Sequence, residues 1–147
     1  MKIESYKNLI VWQKSVTLVE EIYKMTSQLP NSEKYSLYDQ MNRSVISIPS
    51  NIAEGNKRAG IGDYIRFLMI ASGSAAELDT QIYILKKRYL QINTATAETL
   101  LLEVQKMSSV LTFLCYASPE RINFCCLAYT IMIFPKKSIP NLNLMLP

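Results

Sequence analysis

Nine residues, Ile61, Tyr64, Leu68, Ala71, Ala75, Leu78, Ile82, Leu85 and Tyr89, recur alternately three and four positions apart in one unbroken stretch. That spacing is a heptad seam. It predicts a long helix with a single apolar stripe, which has to be covered by other helices. The middle of the seam is small, and Gly73 and Ala75 predict close approach of another backbone there. Asp63 is placed as the N-cap, and Lys86, Lys87 and Arg88 fall in the last turn, where cations complement the helix dipole.

The preceding stretch, Gln40 to Gly55, has two faces at helical spacing. Met41, Val45, Ile48 and Ile52 form an apolar stripe. Gln40, Arg43, Ser47, Asn51 and Glu54 form a polar one. A solvated face is usually built of Lys and Glu, whereas this one carries short amides, hydroxyls and one arginine. Ser36 and Asp39 have capping-box spacing and place the helix start near Ser36. Pro49 lies inside the helix and predicts a kink, because it removes a backbone donor and crowds the Val45 carbonyl. Gly55 stands where a C′ residue with positive φ is expected to end the helix. The connection then runs from Asn56 to Gly62.

Two further helices complete the pattern. The first spans about Asn8 to Gln28, with Leu9, Trp12, Val16, Val19 and Tyr23 as its stripe and Leu18, Ile22 and Met25 widening it. Pro30 stops it, since the residue before a proline avoids α geometry. The fourth runs from Thr94 or Thr96 to Ala117, with Ala97, Leu100, Val104, Met107, Leu111 and Leu114 on its seam. The fold class is therefore all-α, an antiparallel up-down-up-down four-helix bundle over residues 1–118. The remaining residues, 119–147, differ in character. Ile122 to Phe134 is apolar, β-branched and aromatic, and Pro135, Pro140 and Pro147 punctuate the rest. This tail reads either as an extended arm packed on the bundle or on a neighbour, or as an appendage without selected structure.

Composition limits the chemistry. The chain has 147 residues, a net charge of +4 and no histidine. Without histidine, the commonest general base, the commonest metal ligand and the usual triads are missing. Glu54, Asp63, Glu77 and Asp79 are the carboxylates near the patterned stretches, and no metal cage or Gly-rich phosphate loop accompanies them. Ser47, Ser72 and Ser74 read as packing and hydrogen-bonding serines. No cofactor, metal or catalytic residue is expected. Cys115, Cys125 and Cys126 have no metal spacing, and their odd number points to reduced thiols in a cytoplasm. No secretory leader is read at the start, and no apolar run is long enough for a membrane span.

The run Gln40-x-x-Arg43 followed by Ser47-Ile-Pro-Ser-Asn-Ile-Ala-Glu-Gly55 resembles the signature of a family of small four-helix-bundle proteins. This is the S23, or 23S rRNA intervening-sequence, protein family, which includes the accessory variability determinant of diversity-generating retroelements. Leu9-Ile-Val-Trp-Gln-Lys14 and Phe67-Leu-x-x-Ala-Ser-Gly-Ser74-x-x-Glu77-Leu78 resemble it too. The resemblance covers roughly residues 6 to 117, and the tail lies outside it. It implies a homo-oligomer, a pentamer, associated with 23S rRNA intervening sequences. The retroelement branch implies nucleic-acid binding and a reverse transcriptase as partner.

Two sets of residues carry the functional reading. Gln40, Arg43, Ser47, Asn51, Glu54, Gly55, Gly73, Ser74 and Glu77 are expected to form a buried or subunit-facing network between the second and third helices, with Arg43–Glu77 as its charged pair and Asn51 and Glu54 near Arg66. Lys57, Arg58 and Arg66 cluster at the turn between those helices, and Lys86, Lys87 and Arg88 at the far end. Without an aromatic platform beside them, these basic residues are expected to hold RNA or DNA by its backbone, in a salt-dependent way. The rival expectation is a protein-interaction scaffold or a reverse-transcriptase accessory protein. An enzyme comes third.

Overall fold

The computed structural model describes residues 5–117. Among these are four α-helices, two short 3-10 turns and no strand. The helices are α1 (Ile10–Thr26), α2 (Leu37–Lys57), α3 (Ile61–Arg88) and α4 (Ala95–Ala117). Each packs on the next, and α4 closes back on α1 in an up-down-up-down bundle. The most extensive interface is between α2 and α3. The tail at 119–147, with Cys125 and Cys126, lies outside the described residues.

The two stripes with clear phase pack as read. Met41, Val45, Ile48 and Ile52 of α2 are buried, and so are Tyr64, Leu68, Ala71, Ala75, Leu78, Ile82 and Leu85 of α3. The ends of the α3 seam are looser. Ile61 is exposed and Tyr89 half-buried.

The outer two helices are turned about their axes relative to the sequence reading. The core face of α1 is Val11, Ser15, Leu18, Ile22 and Met25. Trp12 and Val19 pack at its margin, and Tyr23 is exposed. Ser15 hides this phase in the sequence: it is buried because its hydroxyl donates back to the Trp12 carbonyl at 2.7 Å. On α4 the core face is Ala97, Leu101, Val104, Ser108, Leu111 and Cys115, with Leu100 and Met107 at the margin. Ser108 and Cys115 are buried on this face too, and the Leu114 side chain lies outside the described residues.

Several boundaries also differ. Asn8 belongs to a 3-10 turn, Tyr6–Asn8, started by the Ser5 hydroxyl accepting from the Lys7 amide at 3.3 Å. The expected capping box at Ser36 and Asp39 does not form, since the Ser36 hydroxyl turns back to the Glu33 carboxylate and carbonyl. Helix α3 starts at Ile61 with Gly60 as N-cap, so Asp63 lies in its first turn. The link from α2 to α3 thus shrinks to Arg58–Gly60.

Neither glycine plays the part expected of it. Gly55 does not end α2, which continues to Lys57 through both Pro49 and Gly55. It is buried instead, and a Cβ there would lie 2.8 Å from Phe67 Cβ and 3.0 Å from the Tyr64 ring. Missing side-chain volume at Gly55, with no positive φ, lets α2 lie close on α3. Gly73, expected at such an approach, faces open space, and a methyl placed there would meet nothing within 4 Å.

The pair gives a direct test. Gly55→Ala overpacks the α2–α3 contact and is expected to destabilise by about 1–3 kcal/mol. Gly73→Ala only gains helix propensity and is expected to stabilise by up to about 1 kcal/mol. Urea unfolding of both variants reads the opposite signs.

Candidate nucleic-acid interface

The α2–α3 hairpin positions the polar stripe. Its residues form two hydrogen-bonded chains across the interface. In one, the Asn51 amide donates to the Ser47 carbonyl at 2.7 Å and hydroxyl at 3.0 Å. The Ser47 and Ser74 hydroxyls lie 2.8 Å apart. Ser74 in turn donates to the Ile70 carbonyl at 3.2 Å, so the shared proton comes from Ser47. In the other, the Gln81 amide donates to Ser44 Oγ at 3.2 Å and Glu77 Oε1 at 3.1 Å. Ser44 passes its own proton to the Gln40 carbonyl at 2.9 Å.

The charged part of the expected network does not form among the described residues. Arg43 is three-quarters exposed, at 74% for its side chain, and its nearest carboxylate is Asp39, at 4.0 Å. Glu77 is exposed and accepts from Gln81. The cause is helical phase: Ser44 and Ser47 face α3, so Arg43 points past the edge. Glu54 pairs with Arg58 one turn on, and not with Arg66. Gln40 takes part through its backbone only, and Gly73 takes no part.

The two basic clusters occupy opposite ends of the bundle and differ in kind. At the end where α3 stops and α4 starts, Lys86 grips Glu98 with both carboxylate oxygens, at 2.8 and 3.1 Å. Arg88 reaches Glu33 at 3.1 Å. Lys87 lies over the Tyr83 ring, 5.4 Å from its centroid. Two of these three cations are therefore already paired.

At the end where α2 stops and α3 starts, the cations are more open. Lys57 and Arg66 make no ion pair among the described residues. Lys57 Nζ lies 5.9 Å from the Tyr6 ring centroid, and Tyr6 in turn stands edge-on to Trp12, 5.3 Å away at 67°. The Arg58 guanidinium carbon lies over the Phe67 ring, 5.3 Å from its centroid, while Glu54 pairs with one of its nitrogens. Arg66 lines a shallow depression with Gly62, Ile65, Met69 and Ile70. Aromatic rings thus do accompany this cluster, contrary to the sequence expectation. Tyr6 reaches it by the docking of the first 3-10 turn on α2, and Phe67 by the α2–α3 register. Neither contact has a spacing that a sequence displays.

Sequence reading also missed Glu33, a lone loop acid. It is buried and accepts from the Tyr89 hydroxyl at 2.7 Å as well as from Ser36 and Arg88. The Ser36 hydroxyl, then Tyr89 and Arg88, hold its carboxyl below the ordinary range. The Lys86 ammonium, then the Thr94 hydroxyl, do the same for Glu98. Among the described residues, no group of three or more Cys, Asp or Glu could hold a metal, and no helix is long and apolar enough to cross a membrane.

A depressed carboxyl pKa stabilises the folded state above the unfolded-state value and loses that contribution as pH falls through the folded one. The melting temperature is therefore expected to drop below about pH 4.3, the ordinary glutamate value. Glu33→Gln is expected to melt lower at pH 7 and to lose less on acidification. Circular-dichroism melts from pH 7 to acid pH check both.

No curated protein matches the chain. A family model described as 23S rRNA-intervening sequence protein matches residues 7–113, which reach into all four helices. The chain therefore belongs to the 23S rRNA-intervening sequence protein family.

Proposed function

We propose that this protein is a non-enzymatic, homo-oligomeric nucleic-acid-binding protein of the cytoplasm, which takes RNA at the end of the bundle carrying Lys57, Arg58 and Arg66. The observation that carries this reading is the state of the cations there. Lys57 and Arg66 have no carboxylate partner among the described residues, so a phosphate gains their charge without displacing one. The family description, which concerns an intervening sequence of 23S rRNA, favours RNA over DNA. At the opposite end, Lys86 and Arg88 are compensated by Glu98 and Glu33 and contribute less.

Assembly of identical chains, a pentamer in the family resemblance, would repeat this modest field around a ring. The α2–α3 face supports it: Ile46, Met69 and Ile70 are exposed apolar residues on the outer surfaces of these two helices, which also carry the outward-facing Arg43 and Glu77. The same exposed residues favour the second reading, a protein-interaction scaffold or an accessory to a reverse transcriptase.

Fluorescence anisotropy with structured RNA and duplex DNA, at about 50 and 200 mM salt, tests binding. RNA is expected to bind tightly at low salt and to weaken steeply at high salt. The double variant Lys57→Gln/Arg66→Gln is expected to flatten the salt slope by about 0.7–0.9 per lost phosphate contact. Lys86→Gln/Arg88→Gln is expected to change binding little and to lower the melting temperature. No binding at low salt would overturn the reading in favour of the scaffold.

Sedimentation velocity tests assembly. The wild-type chain is expected to sediment as an oligomer and Met69→Lys/Ile70→Lys as a folded monomer. A monomeric wild type would remove the oligomer from the proposal.

A further inference from the structure

We propose that the Lys57 end recognises unpaired nucleotides, stacking bases on the Arg58 guanidinium and the Tyr6 ring while Lys57 and Arg66 hold the phosphates. The inference rests on the nucleic-acid reading above and specifies its ligand as single-stranded RNA.

The geometry at Arg58 is that of a prepared plane. The guanidinium carbon lies over the Phe67 ring, 5.3 Å from its centroid, and Glu54, one turn earlier on α2, pairs with one of its nitrogens. The side chain is nonetheless 51% exposed, so the plane is fixed without being covered. A guanidinium oriented in this way stacks on a base at little further cost in side-chain freedom. A point charge on a flexible stem would not.

Tyr6 offers a second platform beside it. Its ring is only half-buried, and the edge-on contact with Trp12 fixes its orientation. Lys57 lies over the ring at 5.9 Å, a weak contact for an exposed ammonium. A phosphate draws that ammonium off the ring and uncovers it for a base. Lys57 and Arg58 are consecutive at the end of α2, so one phosphate site and one stacking plane adjoin in sequence and in space. Duplex RNA hides its base faces within the stack and can use only the phosphate contacts. Single strands can use both.

The test compares two labelled probes on the full-length chain, an oligouridylate of about 12 nucleotides and an RNA duplex of about 12 base pairs. The single strand is expected to bind more tightly than the duplex. Arg58→Lys keeps the charge but loses the plane, and Tyr6→Ala loses the ring. Each is expected to weaken single-strand binding about tenfold and duplex binding less than about twofold. Tyr6→Phe keeps the ring and is expected to bind as wild type. Lys57→Gln is expected to weaken both probes. Circular dichroism confirms that each variant is folded, and Arg58→Lys decides the question should Tyr6→Ala unfold.

Duplex binding as tight as single-strand binding, or equal losses on both probes in Arg58→Lys, would overturn the stacking inference and leave backbone-only RNA binding standing. Failure of both probes to bind wild type would overturn the stacking inference together with the reading it rests on.

Discussion

The contact of Gly55 with Phe67 and Tyr64 sets the geometry on which the other interactions of the α2–α3 hairpin depend. Any side chain at Gly55 would hold the two helices apart, since even a methyl carbon would lie 2.8 Å from Phe67 Cβ. With the helices this close, short hydroxyls span the interface. Ser47 meets Ser74 directly, and Gln81 reaches Ser44. Serine side chains could not bridge a wider gap. The same contact brings Phe67 under Arg58 and so shapes the basic end of the bundle.

This interface is polar without being charged, and the distinction matters energetically. Burying an ion pair costs several kcal/mol per ion in desolvation, often more than the pair returns. The bundle avoids that cost by turning Arg43 and Glu77 outward and placing hydroxyls and an amide inside. Each serine hydroxyl in the two chains accepts one bond and donates another. One acceptor, Gln81 Oε1, is buried without a hydrogen-bond partner among the described residues. Such an atom costs about 1–3 kcal/mol. Apolar side chains would fill the same space at lower cost, so the network specifies helix register more than it adds stability.

The fold was legible in the sequence wherever one helix face is purely apolar. The α3 seam and the Met41–Ile52 stripe are built of apolar residues alone, so periodicity was enough to give their phase. It failed on α1 and α4, where Ser15, donating to the Trp12 carbonyl, and Ser108 sit in the core. A hydropathy pattern counts such residues as surface. The roles of Gly55 and Gly73 were not legible for a related reason: a glycine in a helical stretch signals permissive space, but only the packing shows which neighbour uses it. At the candidate site, the cations Lys57, Arg58 and Arg66 were legible as a cluster next to a turn. Their rings were not, because Tyr6 and Phe67 come to Lys57 and Arg58 from other elements through tertiary packing, and Glu33 reaches Arg88 at the opposite end in the same way.

The two ends of the bundle show why a count of basic residues is a poor guide to a binding surface. Each end gathers three of the cations singled out by sequence. At one, the loop between α1 and α2 supplies Glu33 and the start of α4 supplies Glu98, and both carboxyls are held below their ordinary range. Lys86 therefore ties α3 to α4, Arg88 ties α3 to the connection between α1 and α2, and both charges are already compensated. At the other end the sole carboxylate partner among the described residues is Glu54, which orients Arg58 while leaving Lys57 and Arg66 unpaired. In an antiparallel bundle the helix dipoles largely cancel between neighbours, so side chains decide the polarity along its axis. The unequal pairing of the cations leaves their charge less compensated at the end where α2 passes into α3 than at the opposite end.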